Sequence, residues 1–451
     1  MNDTSWFSAK PPSRAGWQWW LMLILVGDFA LAVRIYYVMH AVVFQPADLP
    51  GARGDAVQYY DYARNLVQHG VFSLRPQTIL SPIGDSFRDP GYPVFLAGWM
   101  EVFTQWDTWY AAVLFSQALL SALTVVLWLG VGRRWLSTSW LAVAGVIMAI
   151  WPHSVVMSSN LLSETLYGFL VALALFVFSL AIRRNSLCWS VASGICFALA
   201  ALTNAVLLPF AALLALYLLW RRQITARTAF ALIVTVLGLT TPWSIRNAMQ
   251  TGLPSSSHRA TMNFVQGSWP IYHSATKASL ILNDPQATLA LNQINVEIYT
   301  LEANHRAGLS MMLKRMARAP LSYVLWYLQK PALLWDWSLR IGAGDIYFGA
   351  TNNSPYGVSP IWRGVAALCQ ACNRPLMLLA LAGCLLALLQ VGPAPEMTGL
   401  ALLLLFVTAV HSVLQAEPRY SIPYRGAEIM LGVLAISWAT ARLSRWRNRA
   451  T

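Results

Sequence analysis

The sequence predicts an all-α polytopic membrane protein, a bundle of about ten (10–12) transmembrane helices. Three observations carry this. Of 451 residues, 57% are hydrophobic and 11% charged. A soluble domain carries about 25% charged residues, so polar surface is too scarce to coat a soluble globule. Apolar runs long enough to cross a bilayer recur along the chain. Arg133–Arg134, Arg183–Arg184, Arg221–Arg222 and the tail Arg442, Arg445, Arg447 and Arg449 each close an apolar run, the signature of cytoplasmic loops. The net charge of +13 therefore reads as topology, not as nucleic-acid binding.

The elements follow in order. Trp17 to about Val43 trails Lys10 and Arg14 and exceeds the roughly 7–15 apolar residues of a signal peptide, so it is a retained first span running outward. The first outer loop, 44–92, contains an amphipathic helix starting near Asp55. The apolar piece Tyr92 to Phe103 is too short for the roughly 20 residues a crossing needs, so it is re-entrant or interfacial. Thr108 to Gly132 returns inward. Spans at 140–157 and 161–182, a hairpin of 187–203 and 205–220, and an outward span at 226–243 follow. The long segment 246–360 lies outside, with a helical middle at 285–318. "PLSYVLWYLQKPALLWDW" (320–337) is interrupted at Lys330–Pro331 and dips into the membrane, unless another crossing hides in 359–373. Spans near 375–391, 399–415 and 426–441 bring both termini to the cytoplasm. The parts are thus a transmembrane module (1–245), an outer segment (246–360) and C-terminal helices (361–451). Of eighteen acidic residues, only Asp3 and Glu396 fall on the cytoplasmic side, which points to a working site at the outer face.

The candidate residues sit there. In "GDAVQYYDYARNLVQHG", Asp55, Tyr59 and Tyr62 share a helical face, and Asp55 fits either a helix N-cap or a catalyst. Asp61, with Arg64 at i+3, fits a surface pair. "FRDPGYP" places Arg88, Asp89 and Tyr92 at the mouth of the short helix, as a site or as a proline turn with an ion pair. Glu164, at the edge of a span, needs a partner or a function. Arg246, Arg419, Tyr420, Arg425 and Lys330, with the Lys314–Arg318 cluster, either anchor lipid headgroups or hold a phosphate. Asp28 and Arg34 lie inside the first span and need partners from other spans. Of the five cysteines, Cys369-x-x-Cys372 is either a disulfide or redox pair or helix packing. HExxH, Walker, GxSxG and Cys/His metal patterns are absent, so a metalloprotease, a nucleotide-driven pump and a serine hydrolase are excluded.

Taken in order, Arg34, "GDAVQYYDYARNLVQHG", "FRDPGYPVFLAGW", "SSNLLSETLYGFL", "ALTNAVLLPF", "TPWSIRN" and "PRYSIPY" resemble the polytopic GT-C glycosyltransferases, over about residues 17–440. They are most similar to bacterial protein O-mannosyltransferase-like and lipid A aminoarabinose transferase-like enzymes. The resemblance implies a polyprenyl-phosphate-linked sugar donor, a hydroxyl acceptor and a multi-pass protein of a bacterial inner membrane working on the periplasmic side. It makes Asp55 the catalytic carboxylate, Glu164 the second acidic position, and Arg419 and Tyr420 neighbours of the lipid phosphate. Arg246, Lys330 and Arg88 join as donor-phosphate ligands, and Asp61, Asp89, Tyr59 and Tyr92 as acceptor-side or supporting residues. The chain departs from the pattern at Asn204, where a basic residue often stands, and at Ala56, where eukaryotic mannosyltransferases carry a second acid. These departures bear on the acceptor more than on the chemistry. No cofactor is implied with certainty; a divalent metal is compatible with the pattern but not indicated. The alternative is a lipid or solute transporter or flippase using Asp28, Arg34 and Glu428 along a midplane path.

Overall fold

The computed structural model describes residues 16–43, 54–74, 82–250, 255–337, 351–389 and 394–450. Helices α1 (Trp17–His40), α2 (Asp55–His69), α3 (Gly91–Val102) and α4 (Trp106–Gly132) build the first quarter of the chain. Then come α5 (Thr138–Ile150), α6 (Pro152–Met157), α7 (Glu164–Arg184) and α8 (Leu187–Thr203). A 3-10 turn (Ala205–Leu207) leads to α9 (Phe210–Trp220) and α10 (Ala226–Ala248). The segment expected outside holds α11 (Ser256–Gly267), α12 (Tyr272–Leu282), α13 (Pro285–Ala303), α14 (His305–Ala317), α15 (Pro320–Leu334) and α16 (Pro355–Val358). The chain closes with α17 (Pro360–Leu389), α18 (Pro395–Val413), α19 (Pro418–Ser421) and α20 (Arg425–Ala450). Two-residue strands, β1 (Val42–Val43) and β2 (Thr351–Asn352), pair antiparallel and tie the end of α1 to the start of α16.

Among the described residues, seven helical stretches are long and apolar enough to cross a membrane: α1, α4, α7, α10, α17, α18 and the run from α19 through α20. Shorter apolar helices occupy 138–150, 187–203 and 205–220. The bundle is held by α7 on α8, α17 on α20, α10 on α8, α1 on α4 and α4 on α7. Its core is a continuous cluster including Trp128, Leu129, Phe178, Phe210, Leu403 and Leu434.

Several elements differ from the sequence reading, each for a physical reason. The span expected at 140–157 is two helices. α5 ends at Ile150, Pro152 starts α6, and the last α5 carbonyls are taken by a side chain: Arg34 donates to the carbonyl of Ala149 at 2.9 Å. The helix expected at 285–318 breaks at Asn304, whose side chain accepts from the Ala307 amide and starts α14. The expected interruption at Lys330–Pro331 is instead continuous helix, because Pro331 lies in the last turn of α15. The span expected at 375–391 starts earlier: α17 is one 30-residue helix that runs through Pro375. The five cysteines are all free, so Cys369 and Cys372 are not a disulfide.

The two helices that frame the site are locally specified. Gly54 enters α2 at φ 116°, a backbone that an L side chain would strain, and Gly70 closes the helix in the left-handed region at φ 66°. Gly91 opens α3 where a Cβ would collide with Thr203 on α8, so only glycine allows this approach.

Candidate active site

Five segments far apart in sequence converge at one end of the bundle: the start of α2, the loop before α3, the turn before α7, α19 and the end of α10. Asp55 is the first residue of α2, and it is not a cap. The N-cap position is Gly54, and no side-chain cap bond is formed. Both Asp55 oxygens turn to arginines instead. Oδ1 accepts from Arg88, and Oδ2 accepts from Arg419 Nη1 at 2.9 Å. The Asp55 side chain is 31% exposed, whereas Arg88 and Arg419 are 10% and 5% exposed. Burial alone would raise the Asp55 carboxyl. The two guanidinium groups outweigh it and hold the group well below the usual carboxylate range.

Each arginine has a further anchor. Arg88 Nε donates to Gln58 Oε1 at 2.8 Å, and its guanidinium lies 4.9 Å from the Tyr59 ring centre. Arg419 Nε donates to Glu164 Oε1. The result is an alternating chain: Arg88, Asp55, Arg419, Glu164. Glu164 is buried at the N-terminus of α7, and its second oxygen has no hydrogen-bond partner. Beside it a cavity of about 40 Å³ is lined by Glu164, Thr165, Trp128, Ser154 and Arg425. That is room for one or two waters. Thr165 Oγ1, Trp128 Nε1 and Arg425 Nε are likewise buried without partners.

The supporting residues pack around this chain. Tyr59 meets Ser163 Oγ at 3.2 Å and packs edge-on against Tyr92, with centroids 5.0 Å apart. Tyr92 is fully buried and donates to Gln117 Oε1 at 2.7 Å, a structural bond beneath the site. Asp89 faces away from Asp55. Its Oδ2 accepts from the Ala205 amide at 3.1 Å and from Arg259 Nη2 at 3.3 Å, joining the α3 entrance to the 3-10 turn and to α11. Asp61, six residues beyond Asp55, lies on a different face of α2. Nearby, Arg64 Nε donates to Gln68 Oε1 at 3.3 Å.

Three expected phosphate ligands are committed elsewhere. Arg246 donates to the carbonyls of Asp85 and, at 3.2 Å, Phe72, and lies over the rings of Trp243 and Phe72. It clamps the first loop to the end of α10. Lys330 is fully buried and donates to the carbonyls of Gly267 at 3.0 Å and of Leu414. Burial lowers its ammonium to about 8. It knots α15 to the ends of α11 and α18 because both helix ends carry unpaired carbonyls. Tyr420 donates to Gln415 Oε1 at 2.9 Å and stacks on His411, so its hydroxyl is tied to the same knot. Arg425, expected beside Arg419, is buried in the bundle and pairs with Glu428 at 2.8 Å.

Sequence reasoning missed Gln58, Ser163 and Asp85. Gln58 is three residues after Asp55, so helical spacing could have found it. Asp85 accepts from Tyr62, from the Leu74 amide at 2.6 Å and from the Phe87 amide at 3.2 Å, shaping the loop that carries Arg88. Among the described residues, no three His, Cys, Asp or Glu side chains gather as metal ligands.

Comparison with known proteins bears on the family and the fold. Residues 88–245 match the family model of dolichyl-phosphate-mannose-protein mannosyltransferases. No curated protein matches the chain. Among solved structures, an archaeal oligosaccharyltransferase from Archaeoglobus fulgidus, in complex with an inhibitory peptide and a dolichol-phosphate, superposes with a TM-score of 0.50 at 14% identity. The match covers 96% of this chain and 51% of that one. The Archaeoglobus fulgidus oligosaccharyltransferase tethered to an acceptor peptide gives the same score and identity, over 98% and 51%. The chain spans about half the length of these enzymes. Its fold is thus similar to that of a GT-C glycosyltransferase, and its segment 88–245, which carries Arg88 and Glu164, is similar to the mannosyltransferase family.

Proposed function

We propose that this chain is an inverting membrane glycosyltransferase. It moves a sugar from a polyprenyl-phosphate donor to a hydroxyl acceptor of an envelope lipid, glycan or protein, at the outer face of a bacterial inner membrane. One observation carries the reading: a carboxylate at the tip of a short helix, partly open to solvent, between two anchored arginines at one end of an apolar bundle. The mannosyltransferase match includes Arg88 and Glu164. The similarly folded archaeal enzyme was solved with a dolichol-phosphate. A lipid phosphate of that kind suits two guanidinium groups, which bind its oxygens in paired fashion.

The chemistry follows from these groups. The acceptor oxygen attacks the anomeric carbon, and the bond from that carbon to the phosphate oxygen breaks with its electron pair. Arg88 and Arg419 stabilise the charge that develops on the phosphate, so the leaving oxygen needs no acid. Asp55 takes the acceptor proton. One carboxylate base and one displacement give inversion, by the logic of inverting glycosidases. Glu164 holds Arg419 in place, and its second oxygen lies buried beside the small cavity. Arg246, Lys330 and Tyr420 support the walls against which the lipid lies.

The test has two arms. Purified protein given a polyprenyl-phosphate sugar should release polyprenyl phosphate, and Asp55→Asn should abolish the transfer while leaving the fold intact. Mass spectrometry of lipid-linked sugars and envelope glycans in a deletion strain should identify what accumulates. Near-normal turnover by Asp55→Asn would remove Asp55 as the base. The transporter reading is not favoured. Arg34 is spent on Ser121 and on the carbonyls of Ala30 and Ala149, Glu428 on Arg425, and Asp28 is exposed on α1, so the three do not form one path.

A further inference from the structure

We infer that Asp55 is the resident counter-ion of the donor-phosphate cradle. The lipid-linked phosphate enters by displacing the Asp55 carboxylate from Arg88 and Arg419, so that donor binding and release of the base are one event. The inference rests on the donor reading above and adds an order of events to it.

The argument starts from how the carboxylate is held. Its two oxygens go to two different arginines, one from the loop before α3 and one from α19. A phosphate presents two oxygens to two guanidinium groups in the same way. Occupancy by Asp55 and by phosphate is therefore mutually exclusive at full hydrogen bonding.

Which partner leaves is decided by the anchors. Arg88 keeps Gln58 and the Tyr59 ring when Asp55 departs, and Arg419 keeps Glu164. Among the described residues, the partners of Asp55 are those two arginines, and it is the most exposed of the four linked side chains. It stands at the first position of α2, directly after Gly54, where a side-chain rotation moves the carboxylate without unwinding the helix.

The paired carboxylate is a poor base, because two cations disfavour its protonated form. Displacement removes that penalty at the moment a sugar is in place. The acceptor proton then moves to the freed carboxylate as the anomeric carbon–oxygen bond breaks and its electrons pass to the phosphate. Loss of that proton to solvent restores the charge of Asp55, which competes for the arginines again and expels the product phosphate.

The experiment measures binding rather than transfer. The full chain in lipid nanodiscs is titrated with undecaprenyl phosphate and, separately, with uncharged undecaprenol. Asp55→Asn should bind undecaprenyl phosphate about tenfold more tightly than wild type, the effect of removing one hydrogen-bonded charged competitor. Undecaprenol binding should not change. Asp55→Glu, which keeps the competing charge, should stay near wild type and serves if the asparagine variant does not fold. Unchanged or weaker phosphate binding in Asp55→Asn, or equal tightening for undecaprenol, overturns the inference. In the glutamate variant, tightening like that expected of the asparagine variant overturns it too. Failure of the donor reading shows up separately, as absence of sugar transfer by the wild-type protein.

Discussion

Helix α7 links two ion-pair clusters of similar composition and opposite character. At its start, Glu164 shares Arg419 with Asp55, which in turn shares Arg88. At its end, about 30 Å away by helical rise, Arg183 and Arg134 converge on Glu396 at 3.3 and 3.2 Å. The Glu396 side chain is 1% exposed, against 31% for Asp55. Its arginines come from α7 and from the turn that ends α4, and Glu396 itself opens α18. The Asp55 cluster draws its arginines from a loop and a four-residue helix. The difference teaches how to read a buried charge in an apolar bundle. Where the carboxylate itself is buried and its arginines sit on or beside long helices, the cluster ties helices together. Where one member is exposed and its partners have anchors of their own, the cluster can exchange partners.

That contrast can be broken experimentally. The largest effect expected is on catalysis: Asp55→Asn should lower transfer by about 10³-fold, the scale of a lost general base, with little change in thermal stability. Glu396→Ala should do the reverse, costing about 1–3 kcal/mol in unfolding because two half-buried arginines lose their shared carboxylate, while transfer per folded molecule stays unchanged. Thermal unfolding in detergent and single-turnover assays separate the two. Arg419→Gln belongs between them. It serves both carboxylates, so it should reduce transfer by about 10²-fold and also lower stability by about 2 kcal/mol. A variant that affects only one of these would show that its two pairs are not coupled.

The smallest effect is in acid. The Asp55 carboxyl is held below its unfolded value, so the stability it contributes is fully present above about pH 4 and declines as pH falls below that. Wild type should therefore lose melting temperature relative to Asp55→Asn as pH falls from about 4 to about 2. Parallel curves would show that the ion pair adds nothing to the free protein.

Legibility from sequence followed the range of the interaction. α2 and α3 were expected within a residue or two, because Gly54, Gly70 and the short apolar run at Tyr92 act locally. The position of Asp55 at a helix start was legible for the same reason. Its partners were not: Arg88 is 33 residues away and Arg419 364. "FRDPGYP" and "PRYSIPY" each marked an arginine of interest, but only the fold puts them on one carboxylate. Lys330 and Arg246 show the opposite limit. A basic residue near an expected phosphate site looks like a ligand in sequence, whereas the unpaired carbonyls at nearby helix ends and loops, invisible in sequence, claim its donors. The break after α5 was missed because the apolar run continues across it. Pro152 was the signal, and Arg34 supplied the closure.

That break has a consequence for the membrane itself. α5 has 13 residues and reaches about 20 Å, some 10 Å less than the hydrocarbon thickness of an ordinary bilayer. The chain continues through α6 into a buried polar run, Ser158, Ser159, Asn160 and Ser163, that leads to Glu164. On this flank the α5 helix alone is shorter than the hydrocarbon layer, a mismatch that favours local thinning of the bilayer. The acyl length of the surrounding lipids thus becomes a variable of the proposed reaction, set by a helix about two turns too short.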